Sequence, residues 1–169
     1  CAVCESTLAR YVGSFDFSDH PLPFRLYQCR ACGFVFNHPR LSSRQIRDQY
    51  DGAYYVFHED PARRWGRATQ LYIEHLLPLE KRVNARRLLG IGCAGGELLA
   101  LARQRGWQVL GIEISPQAAA SARREHDLDV RTGTLEEQRA NIGRFDVAIA
   151  NDVIEHMASP RSFLAMLHG

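Results

Sequence analysis

Apolar positions in the second half of the chain gather into short runs separated by stretches of helical spacing. That alternation is expected of strands buried on both faces and the helices covering them. Leu88-Leu89-Gly90-Ile91, Val109-Leu110-Gly111-Ile112, Leu128-Asp129-Val130 and Phe145 to Ala150 predict strands over 87–91, 108–113, 128–131 and 145–150. Apolar residues three or four apart predict helices near 95–105, 116–125 and 159–167. A β-α-β-α rhythm of this kind calls for a parallel sheet with right-handed crossovers.

Upstream the pattern is sparser. Trp65, Ala68, Tyr72 and Leu76 share one helical face over 61–77, with Arg63, Arg64, Arg67 and Glu74 elsewhere on the wheel, and Pro78 stops the helix or kinks its end. Ser42 with Gln45 forms a capping-box signature for a short helix carrying Ile46 and Tyr50. Phe34-Val35-Phe36 predicts a strand that Pro39 ends. The aromatic run Tyr54-Tyr55-Val56-Phe57 must pack on something, either the following domain or, for Tyr54 or Tyr55, the mouth of a ligand site.

Four of the five cysteines stand as Cys1-x-x-Cys4 and Cys29-x-x-Cys32. Two such pairs supply the four thiolates of a tetrahedral zinc site, closed and structural because no coordination position stays open. Too few apolar residues surround them to fold alone, and metal binding, on the order of 10 kcal/mol or more, supplies the difference. A disulfide pairing suits a cytoplasmic chain less well. His20 and His38 are spare ligands. These patterns divide the chain into a zinc-ribbon module at 1–40, a helical connector at 41–85 that packs on the core, and an α/β domain at 86–169.

With 169 residues, 46% of them hydrophobic, the chain can build one core plus a small appendage. A net charge of +2 gives no argument for nucleic acid or a membrane surface as partner. No apolar run approaches the roughly 18 residues of a membrane span. A cytoplasmic protein is the expectation, with the oligomeric state open. Beginning at Cys1 and stopping at Gly169 after a helix pattern, the natural chain is expected to extend further.

The glycines allow two registers. Gly90-x-Gly92-x-x-Gly95 with Glu113 downstream matches the dinucleotide fingerprint, which requires the strand to end before Gly90. A strand running through Ile91 instead makes the turn Gly92-Cys93-Ala94-Gly95-Gly96. In that register four ordered pieces, Leu88 to Gly96, Val109 to Pro116, Val130 to Glu137 and Phe145 to His156, resemble the class I S-adenosylmethionine-dependent methyltransferases.

The resemblance implies a Rossmann-like parallel sheet, here cut off after its fourth strand, with S-adenosylmethionine as cofactor. It further implies that Gly92 to Gly96, Cys93 and Ala94 among them, back the methionine part, with Gly90 also counted as cofactor-binding, and that Glu113 accepts the ribose hydroxyls with Ile114 beside it. Thr134 and Leu135 would flank the adenine, and Asn151 would face the methionine end. The family usually has an acid in place of Gly90 and a glycine in place of Ala94; the alanine reads as a small change. Asp152-Val-Ile-Glu155-His156 resembles the ubiquinone-pathway O-methyltransferases and makes His156 the candidate general base. A zinc ribbon ahead of such a domain is similar to bacterial methyltransferases that modify sugars, which favours a small-molecule or glycosyl acceptor. The alternatives are an inactive cofactor-binding regulatory protein and an NAD-binding Rossmann enzyme.

Overall fold

A computed structural model describes residues 1–15, 24–40, 42–50 and 59–168. His20 and the aromatic run 54–57 lie outside the described residues. The chain divides into two compact units, one of Cys1–Ile46 with Ile154–Gly169 and one of Arg47–Val153. The segment assigned above to a connector therefore falls largely inside the second unit.

In the first unit, strands β1 (Ala9–Phe15), β2 (Phe24–Cys29) and β3 (Val35–Asn37) form an antiparallel sheet in that order. Only β3 is legible in the sequence. In β1 a bulge between Tyr11 and Gly13 shifts the register, so polar and apolar residues do not alternate cleanly. Tyr11 faces Tyr27, and Tyr27 faces Phe36, with ring centroids 5.7 and 6.2 Å apart. Helix α1 (Ser43–Tyr50) begins with the expected capping box: the Ser42 amide donates to Gln45 Oε1 at 3.0 Å and the Gln45 amide donates to Ser42 Oγ at 3.3 Å.

The second unit opens with α2 (Pro61–Leu71), capped by Asp60, whose carboxylate accepts the Ala62 amide at 3.1 Å. The single helix expected over 61–77 changes pitch instead. Tyr72–Leu76 form a widened turn in which the Leu77 amide reaches Tyr72 O, and Leu77–Leu79 tighten into a last turn around Pro78, which has no amide to give. Tyr72 and Leu76 are both buried by this arrangement. The Tyr72 hydroxyl accepts Trp107 Nε1 at 2.9 Å and donates to Glu80, which Arg105 pairs at 2.9 Å.

After α2 the expected alternation appears as β4 (Arg87–Ile91), α3 (Glu97–Gln104), β5 (Gln108–Glu113), α4 (Pro116–His126), β6 (Val130–Thr132), α5 (Leu135–Gln138) and β7 (Val147–Ile149), followed by α6 (Pro160–His168) in the first unit. The four strands are parallel in the order β6-β5-β4-β7. Helix α2 packs on α3, α3 on β5, and α4 on β5 and β6. Leu88, Leu99, Ala102, Trp107, Ala119, Ala122 and Val130 form the buried core between these layers. Among the described residues, no helix is long and apolar enough to cross a membrane.

Candidate functional site

Strands β4 and β5 stay in register through Gly90 opposite Gly111 and Ile91 opposite Ile112. The strand therefore crosses Gly90, and the dinucleotide register, which needs it to stop at Leu89, is corrected. The Gly92 amide extends the ladder onto Ile112 O at 2.8 Å, and the Gly96 amide closes the turn on Cys93 O at 2.9 Å. Gly92 has φ +63°, and a Cβ on it would stand 2.5 Å from Val153 Cγ2, so only glycine fits.

Ala94 also takes a left-handed conformation, φ +49°. For a residue with a Cβ this costs about 1–2 kcal/mol. Its replacement of the family's glycine, small by sequence, is thus a strained one.

That strain is held against the end of β5. Glu113 is 1% exposed; its Oε2 accepts the Ala94 amide at 2.8 Å and its Oε1 accepts the Ser115 amide at 2.8 Å. Burial holds the Glu113 carboxyl above its ordinary pKa, against the Ser115, Ala94 and Ile114 amides that pull it down. These amides leave the carboxylate some acceptor capacity. A ligand with two neighbouring hydroxyls can be accepted there, and the same carboxylate ties the turn to the strand. Ser115, missed by the sequence reasoning, also caps α4 by accepting the Ala118 amide at 3.3 Å. Its signal is the Ser115-Pro116 step, a cap followed by proline at the first helical position.

The remaining sequence candidates serve several ends. Gly90 is buried within β4, and the place of its missing side chain is taken by Leu99, whose Cδ2 would lie 2.9 Å from a Cβ. The chain thus offers no acid at that strand position. Burial, and then the charge of Glu113, push the Cys93 thiol far up, and its Sγ packs where a Gly111 Cβ would be. Ile114 follows β5 half-buried. Thr134 caps α5 in a reciprocal pair with Glu137, and Leu135 is buried. The Gly133 amide donates to Glu113 O at 2.8 Å, joining the exits of β5 and β6. Asn151, exposed beyond β7, donates to Asp152 Oδ2 at 3.0 Å.

All of these belong to one unit, and all but Gly90 follow the carboxyl ends of its strands, where open α/β sheets bind ligands. Glu155 and His156 do not. They are exposed in a short turn, Ile154–His156, that belongs to the first unit.

That unit also gathers Cys1, Cys4, Cys29 and Cys32, with all four sulfurs within 4.8 Å of one another. Cys1 and Cys32 are 3.8 Å apart, and Cys4 and Cys29 3.5 Å. Sulfurs bound tetrahedrally to zinc at 2.3 Å stand about 3.8 Å apart, so the donor set fits that ion. The Cys32 amide is the main influence lowering the Cys29 thiol to about 7. His38, the spare ligand, instead sets its ring edge-on to Tyr27 at 6.0 Å.

Residues 54–169 match a family model described as a methyltransferase domain. Ubiquinone biosynthesis O-methyltransferases from Cereibacter sphaeroides and Hahella chejuensis are similar to this chain, at 36% identity over 83 residues and 32% over 123 residues. These matches cover 46% and 63% of this chain and 34% and 51% of those proteins. The chain spans about a third to half the length of the curated relatives it matches. Two solved structures share the Rossmann-like parallel sheet. Magnesium protoporphyrin IX methyltransferase from Synechocystis PCC 6803 with bound S-adenosylmethionine aligns with a TM-score of 0.58 at 18% identity, covering 78% of this chain and 73% of that one. For a SAM-dependent methyltransferase from Archaeoglobus fulgidus the TM-score is 0.52 at 25% identity, with 68% and 50% covered.

Proposed function

This chain belongs to the methyltransferase-domain family, and from that premise we propose that it is an S-adenosylmethionine-dependent methyltransferase acting on a small-molecule or glycosyl acceptor. The observation that carries the reading is Glu113, a buried carboxylate bonded at once to the Ala94 amide of the glycine turn and to the Ser115 amide. When bound, the cofactor supplies an electrophilic methyl carbon on a sulfonium.

The chain's part is to hold and orient. Glu113 accepts the ribose hydroxyls on the lone pairs its amides leave, charge-assisted bonds worth about 1.5–3 kcal/mol. Gly92, Cys93, Ala94 and Gly96 back the methionine portion, with Gly90 letting α3 sit close beneath them. Ile114 lies beside Glu113, Thr134 and Leu135 flank the adenine, and Asn151 faces the methionine end. Positioning of acceptor and donor in line contributes about 7–11 kcal/mol, so little acid-base chemistry is required. For a hydroxyl acceptor, His156 takes the proton. The O-methyltransferase relatives support an oxygen acceptor.

The cysteine cluster is read as a structural zinc site, supported by the spacing of its sulfurs, in a chain whose free thiols suit a reducing cytoplasm. Calorimetric titration with S-adenosylhomocysteine and with NAD tests the cofactor. Binding of the first and not the second is expected; the reverse overturns the reading. Single-turnover methyl transfer then tests His156, since His156→Ala should cut transfer and leave S-adenosylhomocysteine affinity intact. Unchanged transfer removes His156 from the mechanism.

A further inference from the structure

Arg64, in the first turn of α2, and Glu97, the first residue of α3, form an ion pair with Nε 2.6 Å from Oε1 and side chains 16% and 8% exposed. A carboxylate so far from water is costly to keep there without the guanidinium beside it. Neither residue belongs to the set proposed to hold the cofactor. Their place gives the pair its meaning: the Glu97 carboxylate lies against Gly95, where a Cβ would stand 2.7 Å from Oε2 and 2.8 Å from Oε1. Gly95 is the neighbour of the strained Ala94, and strained backbone survives only where its surroundings over-determine it.

The Arg64 end is fixed as well. Trp65, the next residue, sets its ring edge-on to His126 of α4 at 5.4 Å, so the α2 turn that presents Arg64 is anchored independently of Glu97.

We propose that Arg64 and Glu97 are positioning residues that hold the Gly92–Gly96 turn in its ligand-ready form, and so set affinity for the adenosyl cofactor. This rests on the reading of that turn as the cofactor site. With the guanidinium in place the carboxylate stays dry and packed on Gly95. Without it the carboxylate loses the counter-charge that holds it against Gly95, and the backbone resting on it loses its support.

The test compares wild type with Arg64→Met, Arg64→Lys, Glu97→Gln and the Arg64→Met/Glu97→Gln double variant in the full chain. S-adenosylhomocysteine affinity is measured by calorimetry, amide hydrogen exchange at Gly95 and Gly96 without ligand, and melting by circular dichroism. Arg64→Met is expected to weaken binding about tenfold and to speed exchange at the turn. Arg64→Lys should restore most of the affinity by keeping the charge, and the double variant should bind better than Arg64→Met. A lowered melting temperature with affinity within about twofold of wild type would mean a merely structural pair and overturns the proposal. Should Arg64→Met fail to fold, Glu97→Gln, nearly the same shape, carries the same expectations. If wild type binds no S-adenosylhomocysteine, the cofactor reading fails, and exchange alone decides the brace: faster exchange in the variants supports it, unchanged exchange overturns it.

Discussion

The parallel sheet buries Leu88, Leu89, Ile91, Leu110, Ile112 and Val130 on its strands, and Leu99, Ala102, Ala119 and Ala122 on the helices against them. In the described residues of the cysteine ribbon, Cys29 is the one buried apolar side chain, while Leu8, Tyr11, Val12, Phe15 and Val35 are exposed. The sheet can thus be stabilised by removal of apolar surface from water, at about 25 cal/mol per Å². The ribbon cannot. It has hydrogen bonds, the Tyr11–Tyr27–Phe36 row, worth only about 0.2–1 kcal/mol per cross-strand pair, and four converging sulfurs. Within one chain, the hydrophobic effect holds the sheet, whereas the ribbon's converging sulfurs support the metal proposed for it.

Removing the metal should break the comparison most sharply. One zinc per chain is expected, and a strong chelator or Cys32→Ser should melt the ribbon, since structural zinc contributes on the order of 10 kcal/mol to folding. The sheet's thermal transition should persist. Elemental analysis, with NMR of the ribbon amides, checks both halves; an intact ribbon without metal sinks the idea.

A smaller effect is expected at Glu113. Glu113→Gln removes the charge but keeps the shape, and should weaken S-adenosylhomocysteine binding by about 1.5–3 kcal/mol, ten- to a hundredfold. The pH dependence follows from the raised pKa. A carboxyl held above its ordinary 4.5 favours the native state while protonated, and that contribution is lost as pH rises through the folded pKa. Ligand binding runs the other way because the ionised form accepts the hydroxyls. Affinity measured across pH should therefore fall on acidification, with a midpoint above 4.5 in wild type and no such step in Glu113→Gln.

The smallest change is at Ala94. Ala94→Gly relieves the left-handed strain at φ +49°, and should raise the urea midpoint by an amount equivalent to about 0.5–1 kcal/mol, part of the relief being offset by glycine's greater freedom when unfolded. A lower midpoint would show that Ala94 is not strained.

Where the sequence was legible, one physical signal dominated. Strands 87–91 and 108–113 agree with β4 and β5 at both ends because they are the inner strands, where apolar runs are continuous. The expected strands 128–131 and 145–150 shorten to three residues each, β6 starting two residues later and ending one later than expected and β7 trimmed at both ends; both lie at the sheet's edges and pair on one side among the described residues. The four residues of α5 are too short to show a period, although Thr134-x-x-Glu137 carries the capping signature. Glu113 could be read because an acid ending an apolar strand stands out; Ser115 was hidden in an ordinary helix start. The pair of Arg64 and Glu97 could not be read, since on a helical wheel Arg64 falls on the polar face and nothing in one sequence reveals which distant acid it meets.

Gly90 opposite Gly111 leaves a shared hollow in the sheet, and Leu99, reaching in from α3, occupies it. Because the tenant comes from a different element, an acid placed at position 90 would enter a dry place beside the Leu99 methyl groups, which would have to shift to admit it.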